Sequence, residues 1–417
     1  MPGNSGLGEN RGTGLLHQPI MCLAPLIALV SLGVFEPDYL VQMRPSIHFL
    51  VRQFVNLGCL LGVVAVLSTK KPPLTCLFVV ALCISAEASS ISSPYSAGFD
   101  AAGVAITYLR YFLCSALFIF WMKECPMRLL FVLSLYFWMI CALNLISEVA
   151  FPGGLYRAAW THEPCYLLGH KNSILLALLP GLVSVGLRDV LKAGRSGWRT
   201  YLYMLVVLCN VAIAGSSTST AAIVIALLLA FLYSSWPNIK LGIASICSLG
   251  IASSALIVFL KIQEGFAPLL FAVFHKGITF SSRAPIWDKF IALFDGNQIL
   301  GVGVISNEVS RALTGGVNAH NMLLGVLMTG GLIRLMIYAA AVAIACITVR
   351  KYITDSGIRV FLLVLVCLAV LGLMEAFDAS WSLLFICALF EGYCLTAFSD
   401  SQIAFGDSRF FADGRVV

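Results

Sequence analysis

Three short polar clusters interrupt an otherwise apolar sequence: Gly169-His170-Lys171-Asn172, Gly215-Ser216-Ser217-Thr218-Ser219-Thr220 and Ala319-His320-Asn321. Each borders a long apolar run, where an ionisable side chain costs at least a few kcal/mol and therefore marks a functional position by default. Imidazoles such as His170 and His320 can move a proton near neutral pH, and Lys171 adds a cation. Lys171 alone can snorkel toward water, but three consecutive polar residues in the first turns of a helix cannot share one face. Ser217 and Thr218 have an ordinary reading as helix caps beside their reading as supporting polar groups of a site. Asn321 has the same two readings. A fourth segment, Ser282-Arg283-Ala-Pro-Ile-Trp287, supplies a guanidinium beside an aromatic suited to a membrane interface.

The elements that must position these residues are membrane helices. The 417-residue chain is 60% hydrophobic and 11% charged, too apolar for the surface of a soluble domain, which is about a quarter charged. Apolar runs near the length of about 20 residues that a bilayer requires recur through the sequence. Spans are predicted near 19–35, 47–68, 73–91, 101–122, 127–147, 165–187, 200–214, 219–236, 241–260, 321–348, 358–374 and 380–397. The fold class is thus an all-α polytopic membrane protein of about twelve helices, a single integral membrane domain over 1–417. Residues 1–18 are polar and the apolar run behind them lacks a small-residue cleavage site, so that run reads as the first span, not a cleaved signal. The 14 cysteines are scattered singly through apolar runs. They predict neither disulfides nor a metal site, and no cofactor is expected.

Basic residues set the orientation. With the N-terminus inside, cytoplasmic loops hold Lys70, Lys71, Lys123, Arg128, Arg188, Lys192, Arg195, Arg199, Lys240, Arg350, Lys351 and Arg359. Both termini are then cytoplasmic. The net charge of +6 serves orientation and does not imply nucleic-acid binding. One long segment, 261–320, falls outside between the ninth and tenth spans. Its Pro, Gly, Trp and charges predict a structured loop with short helices on the membrane surface. The sixth, eighth and tenth spans all run inward from the outer face, so the three polar clusters converge there at helix N-termini. Such termini favour phosphates and other anions.

Four further charges are embedded in predicted spans. Arg110 lies about 13 Å deep at 1.5 Å per residue. It either holds a lipid pyrophosphate or pairs with a carboxylate such as Glu87. Arg52 is a third. Arg334, roughly 20 Å below Asn321 along a straight helix, is expected to serve cytoplasmic-side packing. Glu375 and Asp378 fall in the outer turn between the last two spans, where they either reach the site or are solvated.

Three segments resemble the O-antigen ligase and polymerase superfamily, which includes exopolysaccharide polymerases. Gly169-His170-Lys171-Asn172 is similar to a G-x-x-x-H-K-N segment of the polymerases. Ser282-Arg283-x3-Trp287 continuing to Leu300-Gly301-Val302-Gly303 is similar to the G-R-x-x-x-W…G-x-G stretch. Ala319-His320-Asn321-x-x-Leu324 with Gly330-Gly331-Leu332 is similar to A-H-N-x-x-L…G-L. The order and spacing agree over about 165–335.

The resemblance implies a GT-C-like, metal-independent, inverting glycosyltransferase in the bacterial inner membrane, with a large structured periplasmic loop and a periplasmic active site. Its donor would be a glycan on undecaprenyl pyrophosphate, and its acceptor a second glycan (polymerase) or lipid A–core (ligase). Arg283 would bind the donor pyrophosphate and His320 would accept a proton from the attacking hydroxyl. An arginine that many ligases carry before the eighth span is missing here, which leaves Lys171 or Arg110 as the second pyrophosphate ligand, with Arg311 behind them. His170, Asn172, Ser217, Thr218, Asn321 and Trp287 would support the site. His170-Lys171-Asn172 tilts the reading toward a polymerase. A transporter is the competing class, disfavoured because the polar residues cluster at one face and no matching pair of broken helices is evident.

Overall fold

The computed structural model describes residues 20–69, 71–96, 99–158, 162–262 and 283–398. The polar N-terminus, Pro19, Lys70, Ser282 and the C-terminal tail, all used in the reading above, lie outside the described residues.

The chain is a helical bundle. Its helices among the described residues are α1 (Ala24–Val34), α2 (Asp38–Met43), α3 (Pro45–Leu67), α4 (Leu74–Ser92), α5 (Ala101–Glu124), α6 (Pro126–Ala150), α7 (Ile174–Ala193), α8 (Trp198–Ile213), α9 (Ser217–Ser235) and α10 (Ile243–Val258). They continue with α11 (Arg283–Phe294), α12 (Asn307–Thr314), α13 (Met322–Val349), α14 (Ser356–Gly372) and α15 (Trp381–Ala397). Every predicted apolar segment holds one of these helices. Seven of them, α3, α4, α5, α6, α7, α9 and α13, are long and apolar enough to cross a membrane. The other five apolar helices run only 10–17 residues, and the 11 residues of α1 rise about 17 Å against a hydrocarbon core of about 30 Å.

Local chemistry sets several boundaries. Proline occupies the first turn of α3 and α6, where its missing N–H costs nothing. Asp100, Asp355 and Ser380 accept hydrogen bonds from the opening N–H groups of α5, α14 and α15. The most enclosed spanning helix is α7, buried among α6, α8, α14 and α15.

The sixth predicted span begins later than expected. Residues from 165 onward do not open a helix. They enter a three-stranded antiparallel sheet of β1 (Tyr156–Arg157), β2 (Pro164–Tyr166) and β3 (Gly169–His170), in which Cys165 pairs with both Tyr156 and His170. The Gly169-His170-Lys171-Asn172 cluster therefore lies in a hairpin and turn ahead of α7. Gly169 has a φ of +99°, and a Cβ there would meet Asp38 Oδ2 and Ser173 Oγ at 2.9 Å. A side chain at this position conflicts with both the backbone and the neighbours. Residues 151–173 thus form a second sizeable region outside the long helices, beside 261–320.

The second departure is in α13, which breaks at Gly330 and Gly331. The segment after α11 fills the break: Val302 N–H donates to the Met328 carbonyl (2.7 Å) and Leu332 N–H to the Gln298 carbonyl (2.9 Å). A Cβ on Gly331 would stand 2.2 Å from the Ile299 carbonyl oxygen, and one on Gly301 would stand 2.6 Å from Gly331 N. The Gly301-Val302-Gly303 and Gly330-Gly331 motifs thus fit one another backbone to backbone.

The break also redirects Arg334. Its guanidinium is fully buried and donates to Asp378 Oδ2 (2.7 Å), the Leu82 carbonyl (2.7 Å), Ser85 Oγ (2.8 Å) and the Tyr108 hydroxyl (2.9 Å). Tyr338 donates to the other Asp378 oxygen at 2.5 Å. Arg334 therefore anchors the turn between α14 and α15, contrary to the cytoplasmic-side packing expected from a straight helix.

Gly331→Ala is expected to cost more than about 2 kcal/mol, because it adds positive-φ strain to a backbone overlap. Gly153, whose Cβ would meet nothing within 4 Å, is the control. Thermal unfolding in detergent should show Gly331→Ala lowered by many degrees and Gly153→Ala near wild type. Equal behaviour of the two would refute the interlock.

Candidate functional site

Two of the predicted polar clusters meet at one cavity of about 420 Å³, and the third borders it. His170, Asn172, Arg311, Asn318, His320 and Glu375 supply its polar lining, with Leu176, Ile286, Leu371 and Phe377 among its apolar walls.

The hairpin wall is held from below by α6. Asn144 Oδ1 accepts from Leu168 N–H (2.8 Å), and Ser147 Oγ accepts from Leu167 N–H (3.3 Å). Asn144 is itself fixed through Nδ2, which donates to Glu148 (2.6 Å) and Asn210 (3.0 Å). At the tip, His170 Nε2 lies 2.5 Å and Lys171 Nζ 3.0 Å from Glu163 Oε2. The His170 hydrogen bond, with Lys171 behind it, holds the Glu163 carboxyl below the ordinary carboxylate range. Asn172 Oδ1 accepts from Ser216 Oγ at 3.3 Å, and Ser216 Oγ accepts in turn from the Ser219 hydroxyl at 2.8 Å, since each hydroxyl has a single proton to give. The hydroxyls that join the hairpin are therefore Ser216 and Ser219. Ser217 and Thr218 lie outside the cavity lining, turned away by the helical rotation that buries Ser216 and Ser219.

His320 is fixed by its neighbours. Trp287 Nε1 donates to the Ala319 carbonyl at 2.9 Å, and Asn321 Nδ2 donates to the Leu373 carbonyl at 3.1 Å. Asn321 Oδ1 caps α13 through Leu324 N–H at 3.0 Å. Asn318 Oδ1 accepts from the His320 N–H at 2.9 Å. Between these fixed points His320 adopts a φ of +44°, a left-handed conformation that costs a non-glycine residue of the order of 1 kcal/mol or more. Trp287 is only 1% exposed. It is a buried post under the histidine and not the interfacial anchor expected from its sequence context.

The central contact joins three elements. Arg283, the first residue of α11, places its guanidinium 2.5 Å from Glu375 Oε1. The second Glu375 oxygen lies 3.5 Å from His320 Nδ1. That is an ion-pair distance without hydrogen-bond alignment, and Nδ1 is buried with no hydrogen-bond partner. All three side chains are a quarter exposed or less, so the charges of Arg283 and Glu375 are only partly screened. Arg311 reaches the cavity from α12, a short helix capped by Ser306 and ended by Gly315 at a φ of +84°.

The two second cations expected from the sequence are elsewhere. Lys171 is engaged by Glu163 and does not line the cavity. Arg110 lies on α5 beside Cys59 and Cys114, at the packing face toward α3, and also lies outside it. Nor does Arg110 pair with Glu87, whose Oε1 is buried without a partner. Arg311, the least favoured of the three, is the one that arrives. Glu163 gave no sequence signal, because a lone glutamate in a polar loop is ordinary. Among the described residues no three His, Cys, Asp or Glu side chains gather as a metal-ligating group.

The helices and the cavity define a multi-pass membrane protein with a polar chamber built of imidazole, guanidinium and carboxylate at one end of its bundle. The O-antigen ligase family model matches residues 202–339, about a third of the chain, and supports the resemblance to the O-antigen ligase/polymerase superfamily. The matched region contains Arg283, Trp287, Arg311, His320 and the Gly330-Gly331 break, while His170 and Glu375 lie outside it. No curated protein matches the chain. Together the apolar helices and the family match point to a multi-pass bacterial membrane protein similar to the O-antigen ligases over that segment.

The depressed Glu163 carboxyl gives the hairpin a signed pH dependence. Its stabilisation is present above the ordinary carboxylate value of about 4.3 and is lost as the pH falls through the lower folded value. Amide exchange at Leu167 and Leu168, normalised to intrinsic rates, should be protected at neutral pH and lose protection in acid. Glu163→Gln should lower that protection at neutral pH and flatten its dependence in acid; a wild-type profile in the variant would refute the assignment.

Proposed function

We propose that this protein is an inner-membrane glycosyltransferase that moves a glycan from undecaprenyl pyrophosphate to a sugar hydroxyl at the periplasmic face, polymerising repeat units. The observation that carries the reading is the meeting of His320, Glu375 and Arg311 at one cavity, with Arg283 paired to Glu375 behind its wall; His320, Arg311 and Arg283 fall within the segment that matches the O-antigen ligase family. The reading extends to about twelve spans, a GT-C-like architecture, cytoplasmic termini and 261–320 as the periplasmic insertion between the ninth and tenth spans.

In the proposed reaction the acceptor hydroxyl oxygen attacks the donor's anomeric carbon from the side opposite the pyrophosphate. The new C–O bond forms as the bond to the pyrophosphate oxygen breaks, with inversion. The hydroxyl proton passes to His320 Nε2, and the electron pair leaves on undecaprenyl pyrophosphate. Glu375, 3.5 Å from Nδ1, stabilises by its charge the imidazolium that forms, the electrostatic part of a carboxylate's role behind a histidine base. Pyrophosphate is already a good leaving group. Arg311 and Arg283 can stabilise its charge through guanidinium hydrogen bonds without a metal, with Arg283 exchanging part of its contact with Glu375 for the phosphate. Arg311 replaces Lys171 and Arg110 as the second phosphate ligand. His170 and Asn172 shape the opposite wall.

The ligase reading, with lipid A–core as acceptor, is favoured by the description of the matched family. Purified protein supplied with lipid-linked repeat units separates the two on a gel. A ladder formed without lipid A–core supports the polymerase. Product seen only when the core is added supports the ligase, and solute movement without glycan transfer supports a transporter.

In the same assay His320→Ala should abolish transfer with membrane insertion intact, and near-normal product would refute its role as the base. Arg311→Ala should raise the donor KM about 10-fold or more, the loss of one charge-assisted contact of about 1.5–3 kcal/mol. A chelator should leave the rate unchanged, and strong inhibition would refute metal independence.

A further inference from the structure

A second cavity, of about 180 Å³, lies behind the hairpin, with Asp38, Gln42, Met43, Tyr156, Arg157 and His170 among its walls. His170 is the one residue that lines both cavities. Nothing in the transfer reaction uses the others.

The walls are well fixed. The Tyr156 hydroxyl donates to Asp38 Oδ2, and Gln42 Nε2 lies 3.5 Å from the other Asp38 oxygen. Arg157 is tied through its guanidinium to the His162 carbonyl at 2.8 Å. Tyr39 N–H donates to the Leu167 carbonyl at 3.2 Å, which docks α2 on the hairpin, and the Tyr39 and Tyr156 rings pack with centroids 6.0 Å apart.

The chemistry of this lining is that of a polyhydroxy ligand. One carboxylate and one guanidinium of opposite sign favour neither an anion nor a cation. An amide and a phenol add further donors and acceptors that can fix orientation. Met43 and the Tyr156 ring offer apolar surface to a face of C–H groups. The volume corresponds to about six waters at about 30 Å³ each, space on the scale of a single sugar ring. The cationic side of the catalytic cavity, lined by Arg311 with Arg283 behind Glu375, is occupied by the donor pyrophosphate in the proposed reaction. The acceptor then approaches past His170.

We infer that the cavity between α2 and the hairpin binds one neutral pyranose unit of the acceptor glycan, holding the chain so that a neighbouring sugar's hydroxyl reaches His320. The inference rests on the proposed transferase reading for the identity of the acceptor, but sugar binding here can be read without turnover.

The test uses the full chain in lipid nanodiscs and saturation-transfer NMR with the methyl glycosides of glucose, galactose, mannose and N-acetylglucosamine. At least one should bind in the millimolar range. Gln42→Ala and Arg157→Ala, both at exposed side chains, should weaken it about fivefold or more, and inorganic pyrophosphate should not displace it. Absence of binding by all four sugars, unchanged binding in both variants, or displacement by pyrophosphate would overturn the inference. In the transfer assay the same variants should raise the acceptor KM and leave the donor KM unchanged; the reverse pattern would also overturn it, because the sugar would then belong to the donor. Sugar binding by a protein that transfers no lipid-linked glycan would sink the transferase reading and leave the cavity's specificity standing. Normal transfer with unchanged acceptor KM would do the opposite.

Discussion

The carboxylate of Glu375 stands between a guanidinium and an imidazole at the edge of a chain that carries few charges. In that setting an unpaired charge is costly, and Glu375 satisfies Arg283 directly while facing the otherwise unpartnered Nδ1 of His320. The three residues come from α11, the turn after α14 and the approach to α13, so this one carboxylate ties the 283–320 segment to the helical bundle. In the proposed reaction it also stabilises the charge that the imidazole gains.

The position of Glu375 depends in turn on two deeper arrangements. Asp378, three residues on, is held by the fully buried Arg334 and by Tyr338, which fixes the turn from the membrane side. Arg334 can reach it because α13 breaks at Gly330 and Gly331, where the 298–303 segment lends its backbone to the interrupted ladder. Non-helical backbone at this depth is tolerable because protein groups satisfy it. The glycines are there for backbone approach, and the buried ion pair registers a loop against a helix.

Helices were readable from composition because a run of about 20 apolar residues has few alternatives. Each predicted segment contains one, although five are shorter than a full crossing. The hairpin at 156–170 was not readable: its strands are two or three residues long, too short to show a period, and they adjoin a strongly apolar run that reads as helix. The convergence of the His170 and His320 clusters followed from the order of the spans alone, since every second helix starts at the same face. Which cation would complete the site did not follow. Lys171, Arg110 and Arg311 are equivalent as charges in a sequence, and only packing shows that Glu163 engages the first, that α5 carries the second away and that α12 delivers the third. Arg334 was misjudged for a related reason, because a straight-helix rise places it far from Asp378 and two glycines remove the straightness.

The shared carboxylate can be tested by a double-mutant cycle on glycan transfer with Arg283→Gln, Glu375→Gln and the pair, scored as kcat/KM for the donor. If the guanidinium and carboxylate act as one unit, the effects are strongly non-additive and the double variant is little worse than the poorer single one, a coupling of about 0.5–3 kcal/mol. Effects that simply add would mean that the two side chains act independently, and would contradict the account.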